Sequence, residues 1–108
     1  MADRYTYRVQ WSADDGEYVA TSAEFPSLSW LDETPEAAFA GIRHVVGDVI
    51  ADMEKAGEAP PEPLSARPFS GRFQVRVPPE LHRRLKIEAA EERISLNRLV
   101  NLKLSAAG

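Results

Sequence analysis

A short alternating segment, residues 72–77, constrains the fold more than any other part of the sequence. Three apolar side chains point to one side of an extended chain here: Phe73, Val75 and Val77. Three long polar side chains point to the other side: Arg72, Gln74 and Arg76. This period of two predicts a strand with one packed face. Pro78 and Pro79 end the strand, because a proline nitrogen has no hydrogen to donate.

Two short helical patterns follow the prolines. Pro79 suits the first position of a helix, where a backbone N–H would have no partner anyway. The first helix carries apolar residues at a spacing of four: Leu81, Leu85 and Ala89. Ser95 is a good N-cap for a second helix. Its apolar residues are Leu96, Leu99, Val100, Leu102 and Leu104. The sequence therefore predicts a strand-helix-helix unit.

This unit is not expected to fold as a single copy. One strand and two short helices, in under about 40 residues, bury too little apolar surface to offset the lost chain entropy. Pairing the strand with its copy across a two-fold axis would make an antiparallel ribbon with four helices behind it. We therefore expect a homodimer formed through residues 72–77. The sequence leaves open whether such dimers stack into tetramers.

The run GRFQVRVPPELHRRLKIEAAEERISLNRLVNLKLS, residues 71–105, resembles a ribbon-helix-helix domain of the Arc and MetJ type. In that family the ribbon enters the DNA major groove and its outward side chains read base edges. The resemblance implies base contacts from Arg72, Gln74 and Arg76, since arginine suits guanine and glutamine suits adenine. It also implies phosphate contacts from Ser95 and Asn97 at the second helix.

The segment from Gly71 to Leu85 resembles, more narrowly, the C-terminal half of HicB-family antitoxins. One departure lies in the same region. Arg93 stands where a glycine commonly closes the first helix of a ribbon-helix-helix domain. We therefore expect a strained or rearranged turn between the two helices.

The N-terminal half begins with a strand pattern. Aromatic and branched residues alternate with polar ones, the former being Tyr5, Tyr7, Val9 and Trp11. An Asp-Gly pair at Asp15 and Gly16 then favours a tight turn, so residues 18–23 are predicted to return as the second strand of a hairpin. Residues 28–31 are predicted to form a short third strand, after Pro26 interrupts the pairing.

A long helix is predicted after the third strand. Thr34 is its N-cap, Pro35 its first residue and Gly57 a C-terminal stop. Its apolar stripe would pack on the sheet and comprises Ala38, Ile42, Val45, Val46, Val49, Ile50 and Met53.

The predicted fold class is α+β with two domains. Residues 1–58 form a β-β-β-α domain, residues 59–70 a proline-rich linker and residues 71–108 the ribbon-helix-helix domain. The N-terminal order resembles that of HicB-family domains, a reduced RNase H-like or double-stranded-RNA-binding-like layout. The stretches that carry this resemblance are DDGEYVATSAEFPSLS and DETPEAAFAGIRHVV. Residues 30–33 lack the glycine expected just before the helix.

Charge is divided unevenly between the two halves of the sequence. The net charge of the chain is −4, but residues 1–64 carry −9 and residues 65–108 carry +5. Such a chain can hold DNA at its basic end and a basic partner at its acidic end. Neither a membrane span nor a signal peptide is recognisable, so the cytoplasm is the expected compartment and no membrane partner is expected.

Few residues in the sequence suggest a metal site or a catalytic site. The chain has no cysteine, and its two histidines, His44 and His82, are read as packing or solvated side chains. The carboxylates of Asp14, Asp15 and Glu17 crowd a predicted turn, where turn composition explains them. We therefore expect no cofactor, no metal and no enzymatic activity, although the RNase H-like resemblance keeps a metal-dependent nuclease as a distant third interpretation.

The resemblance to HicB proteins implies an antitoxin of a type II toxin-antitoxin system. Such a protein neutralises a small basic ribonuclease toxin of the HicA type and represses its own operon as a DNA-bound dimer. The alternative is a stand-alone ribbon-helix-helix repressor whose N-terminal domain binds another protein or a ligand.

Overall fold

The computed structural model describes residues 2–107 and has an α+β fold, a three-stranded antiparallel sheet followed by helices. The chain divides into two compact units, Met1–Ser70 and Gly71–Gly108. Residues 59–70, predicted as a linker, belong to the first unit. Among the described residues, no helix is both long and apolar enough to cross a membrane.

The first unit contains the predicted hairpin and third strand. Strands β1 (Tyr7–Ser12), β2 (Glu17–Ser22) and β3 (Ser29–Asp32) pair in the order β1-β2-β3. The β1–β2 turn is closed by the Gly16 N–H, which donates to the Ser12 carbonyl at 2.9 Å. Gly16 has φ +64°, a conformation that glycine adopts without strain. The hairpin is thus confirmed, and the third strand lies one residue later than predicted.

Helix α1 (Pro35–Lys55) has the predicted ends. The Thr34 side chain accepts a hydrogen bond from the Ala37 N–H at 3.1 Å, and Pro35 occupies the first turn. At the other end Gly57 has φ +76°, and its N–H donates to the Glu54 carbonyl while the Glu58 N–H donates to Met53. These two bonds form a Schellman motif, which satisfies carbonyls that the helix leaves without partners.

The core of the first unit lies between α1 and the sheet. Its buried residues are Tyr5, Ala20, Phe25, Ala38, Ile42, Val46 and Ile50, with Val49 and Met53 packed against them. Most of the predicted stripe is therefore buried as expected. Gly41 also belongs to this contact, because a Cβ there would lie only 2.1–2.4 Å from the Trp30 indole. The helix and the tryptophan can meet only if this position is glycine.

The segment after α1, residues 59–70, is hydrogen-bonded to the rest of the first unit, and we call it the strap. The Tyr5 hydroxyl donates to the Pro61 carbonyl at 2.6 Å, and the Ser65 hydroxyl to the Arg4 carbonyl at 2.7 Å. Burial, together with the charges of Glu24 and Glu54, raises the pKa of Tyr5, so this hydroxyl keeps its proton.

Glu24 is the main anchor of the strap. Its carboxylate accepts the Leu64 N–H at 2.9 Å and, from the sheet side, the Thr6 N–H at 2.9 Å and hydroxyl at 3.1 Å. Burial opposes the charged form of Glu24, but the backbone hydrogen bonds from Leu64 and Thr6 outweigh it and hold its pKa below the usual range. One ionised side chain therefore joins the sheet to a segment forty residues away.

The second unit consists of an extended segment and two helices. Residues 72–78 belong to no helix or strand, and they lead into α2 (Pro79–Glu92) and α3 (Leu96–Ala107). The two helices pack on each other, and the Lys103 ammonium lies 2.9 Å from the Glu88 carboxylate across their contact. The strand predicted at residues 72–77 is therefore not formed among the described residues of the single chain, because a strand needs a neighbour to pair with.

Candidate nucleic-acid interface

The candidate interface begins with the extended segment that precedes α2. Gly71 has φ +83°, and Pro78 and Pro79 set the start of α2. Every residue from 71 to 80 is exposed, so the predicted base-reading side chains, Arg72, Gln74 and Arg76, lie on the surface. Two positively charged guanidinium groups and one amide, spaced two residues apart, can form bidentate hydrogen bonds with base edges.

The apolar side chains of the same segment are also exposed. Phe73 is 76% exposed, Val75 67% and Val77 38%. The alternation predicts a packed face here, but the described residues of the chain leave most of Phe73 and Val75 uncovered. Apolar side chains that remain in contact with water forgo the favourable free energy that their burial would provide.

The turn between α2 and α3 is closed by Arg93 in the left-handed region, with φ +58°. The Arg93 N–H donates to the Ala90 carbonyl at 3.2 Å and the Ile94 N–H to Ala89 at 3.0 Å, the same motif that ends α1. Arginine pays a steric cost in this conformation that glycine avoids. The departure noted in the sequence is therefore a real left-handed cap, made without glycine.

Ser95 and Asn97 lie together in the first turn of α3. The Ser95 hydroxyl accepts the Arg98 N–H at 3.0 Å, which makes it the N-cap. Asn97 is exposed two residues further along. The first N–H groups of a helix have no partner within it and carry the positive end of its dipole, so this turn can receive an anion.

The interface residues thus form two groups, one along the extended segment and one at the start of α3. Their contacts with DNA stay predictions. Sequence reasoning did not find the strap or its anchor Glu24, because both depend on hydrogen bonds between segments far apart in the chain. Within the described part of the chain, no three His, Cys, Asp or Glu side chains are grouped as they would be around a metal ion.

The chain was compared with protein-family models. Residues 54–104, just under half of the chain, match the model described as the HicB family. The matched region runs from the end of α1 through the strap and the extended segment to α3. The match supports a HicB-family protein. No curated protein and no solved structure matched the chain.

Proposed function

We propose, on the premise of the HicB-family match over residues 54–104, that this protein is the antitoxin of a type II toxin-antitoxin system. Its first unit binds and neutralises a small basic ribonuclease toxin of the HicA type. Its second unit dimerises through residues 72–77 as a ribbon-helix-helix domain. The dimer binds operator DNA in the major groove and represses the operon.

The observation that carries this proposal is the poor burial of the second unit. Only Ala89 and Leu99 are buried apolar residues among its described positions, 71–107. Its large exposed apolar side chains are Phe73, Val75, Val77, Ile87, Leu102 and Leu104. A unit of this size with so small a core is marginal alone, and a second copy is the economical way to complete it.

The alternation of residues 72–77 limits how two copies can pair. An antiparallel pair keeps all its apolar side chains on one face only if residues of the same face lie opposite each other. The two-fold axis must then pass through a residue position. With the axis at Val75, Val75 lies opposite its own copy and Phe73 opposite Val77. The helices cover that face, and Arg72, Gln74 and Arg76 of both copies point to the DNA.

The first turn of α3 would hold the DNA backbone in this arrangement. The Ser95 hydroxyl accepts the Arg98 N–H, which leaves the N–H groups of Leu96 and Asn97 for a phosphate oxygen. Such contacts position the dimer without reading sequence, whereas the ribbon side chains discriminate between bases. The division of charge also supports DNA binding by the second unit, because residues 65–108 carry +5 while residues 1–64 carry −9.

The neighbouring reading frame provides the test of the antitoxin assignment. We expect a short basic protein there that arrests growth when expressed alone and is harmless when this chain is co-expressed. Growth arrest that this chain does not relieve, or no toxicity at all, would contradict the assignment. Operator binding that survives in that case would favour the stand-alone repressor.

A further inference from the structure

The sheet of the first unit carries a tryptophan, Trp11, that is more than half exposed, beside a partly buried tyrosine, Tyr18, which packs on the core. Trp11 of β1 lies opposite Tyr18 of β2, and Tyr18 lies opposite Asp32 of β3. The three residues therefore stand side by side on one face of the sheet. We call this set, Trp11, Tyr18 and Asp32, the aromatic row. Its indole and phenol rings meet edge to face, with centroids 5.1 Å apart.

The row lies just beyond the edge of the core. Ala20, two residues along β2 on the same face, is completely buried, whereas Trp11 is 56% exposed. More than half of the Trp11 side chain therefore lies outside the core. Its ring face and its apolar surface remain available to a partner.

The segment of chain that carries the row has charged side chains of one sign. From Val9 to Ile42 the chain carries seven carboxylates and no lysine or arginine. Asp32 belongs to the row, where its carboxylate accepts the Trp30 indole N–H at 3.3 Å and the Glu33 N–H at 2.8 Å. Asp14 and Asp15 lie in the turn between β1 and β2, next to Trp11. An aromatic face bordered by carboxylates attracts cations.

We propose that the aromatic row is the docking surface for a basic protein, which places arginine or lysine side chains over Trp11 and against Asp32. This assignment rests on the proposed function, since it locates the partner-binding site of the first unit. Arginine fits best, because its planar group can stack on the indole and form two hydrogen bonds with a carboxylate. Nucleic acid fits less well, because the carboxylates of Asp14, Asp15 and Asp32 would repel its phosphates.

The test compares Trp11→Leu with Leu31→Ala in the full chain. Leu31 is 40% exposed and neighbours Asp32 in β3, but its side chain is on the opposite face of the sheet. Trp11→Leu keeps apolar bulk and removes the aromatic face. Thermal unfolding shows whether each variant keeps the fold. Operator binding by the second unit should be equal in both.

Calorimetry with the basic protein from the neighbouring frame gives the first readout. We expect at least tenfold weaker binding for Trp11→Leu and for Asp32→Asn, and less than a twofold change for Leu31→Ala. Equal affinities for wild type and Trp11→Leu would overturn the docking surface while leaving the antitoxin assignment intact.

A second readout does not need that protein. An octa-arginine peptide, titrated into wild type at moderate salt, should shift the Trp11 indole N–H resonance at lower concentration than an octa-lysine peptide does. If the neighbouring protein fails to bind wild type, the proposed function fails, and the peptide decides the surface separately. A Trp11 resonance unmoved by octa-arginine would overturn it, and a shift with weaker peptide binding by Trp11→Leu would support it.

Discussion

The two units of this chain differ in how they obtain a core. The first unit packs one long helix on three strands and buries seven apolar side chains. The second unit has two helices that the sequence predicts just as clearly, but it buries only the apolar side chains of Ala89 and Leu99 among its described residues. Local signals for strands, helices and caps are as clear in the second unit as in the first. The difference teaches that good local patterns do not by themselves provide a core. Under the proposed function, a second copy of the chain supplies the missing surface.

The largest change in stability is expected for Val75→Glu. In one chain Val75 is 67% exposed, and a surface substitution there should change stability by about 0.5 kcal/mol or less. In the paired ribbon it would bury an unpaired carboxylate, which costs about 3–5 kcal/mol. We expect the dimer to dissociate and the helices of the second unit to melt, as measured by sedimentation and far-ultraviolet circular dichroism.

Gln74→Glu is the matched control for this prediction, because it introduces the same carboxylate one residue away on the opposite face. It should leave the dimer intact and weaken only DNA binding. Equal sedimentation of the two variants would mean that the two faces of residues 72–77 are equivalent, which the ribbon does not allow.

The two groups of residues proposed to contact DNA should respond differently to substitution. Gln74→Ala should cost about 1–3 kcal/mol on the cognate operator and relax its sequence preference, since it removes a base contact. Ser95→Ala should weaken cognate and random DNA alike. Fluorescence anisotropy with both duplexes separates the two effects. Equal losses on both duplexes for Gln74→Ala would count against base reading, and affinity that is insensitive to salt would contradict phosphate contacts.

A smaller effect, confined to the first unit, is expected for Glu24→Gln. Glu24 has a lowered folded-state pKa, so its ionised form stabilises the fold above its unfolded-state pKa of about 4.3. That stability is lost as the pH falls through the folded-state value. At pH 7 we expect Glu24→Gln to lower the free energy of unfolding by about 1 kcal/mol. Chemical denaturation at several pH values should show the difference from wild type shrinking toward acid, and a constant difference would exclude the charged anchor.

Arg93→Gly should give the smallest change and the opposite sign. Glycine avoids the steric cost of φ +58°, partly offset by its greater freedom in the unfolded chain, so we expect a gain of roughly 0.5–1 kcal/mol. Glu92→Gly, one residue earlier and within α2, should instead destabilise by a similar amount. Thermal unfolding of both variants, at the same protein concentration, measures the two changes in stability.

The sequence predicted those parts of the molecule that depend on neighbours along the chain. The turn at Gly16, the cap at Thr34, the stop at Gly57 and the unusual position of Arg93 all follow from residue chemistry within a few positions. The strap did not follow, because proline content predicts an extended segment but not the hydrogen bond from Leu64 to Glu24. Side-chain alternation identified the candidate DNA contacts at residues 72–77, but the pairing proposed for them would lie between two chains, so one copy does not display it.

A distance between two copies of residue 74 tests the ribbon most directly. The chain has no cysteine, so Gln74→Cys provides a single site for a spin label on the outward face. Strands in a sheet lie about 5 Å apart, so an antiparallel ribbon centred near Val75 should place the two labels within about 20 Å of each other. Pulsed and continuous-wave electron spin resonance should then show strong dipolar coupling that is lost when unlabelled protein is mixed in excess. Labels without measurable coupling in the concentrated protein would contradict the paired ribbon.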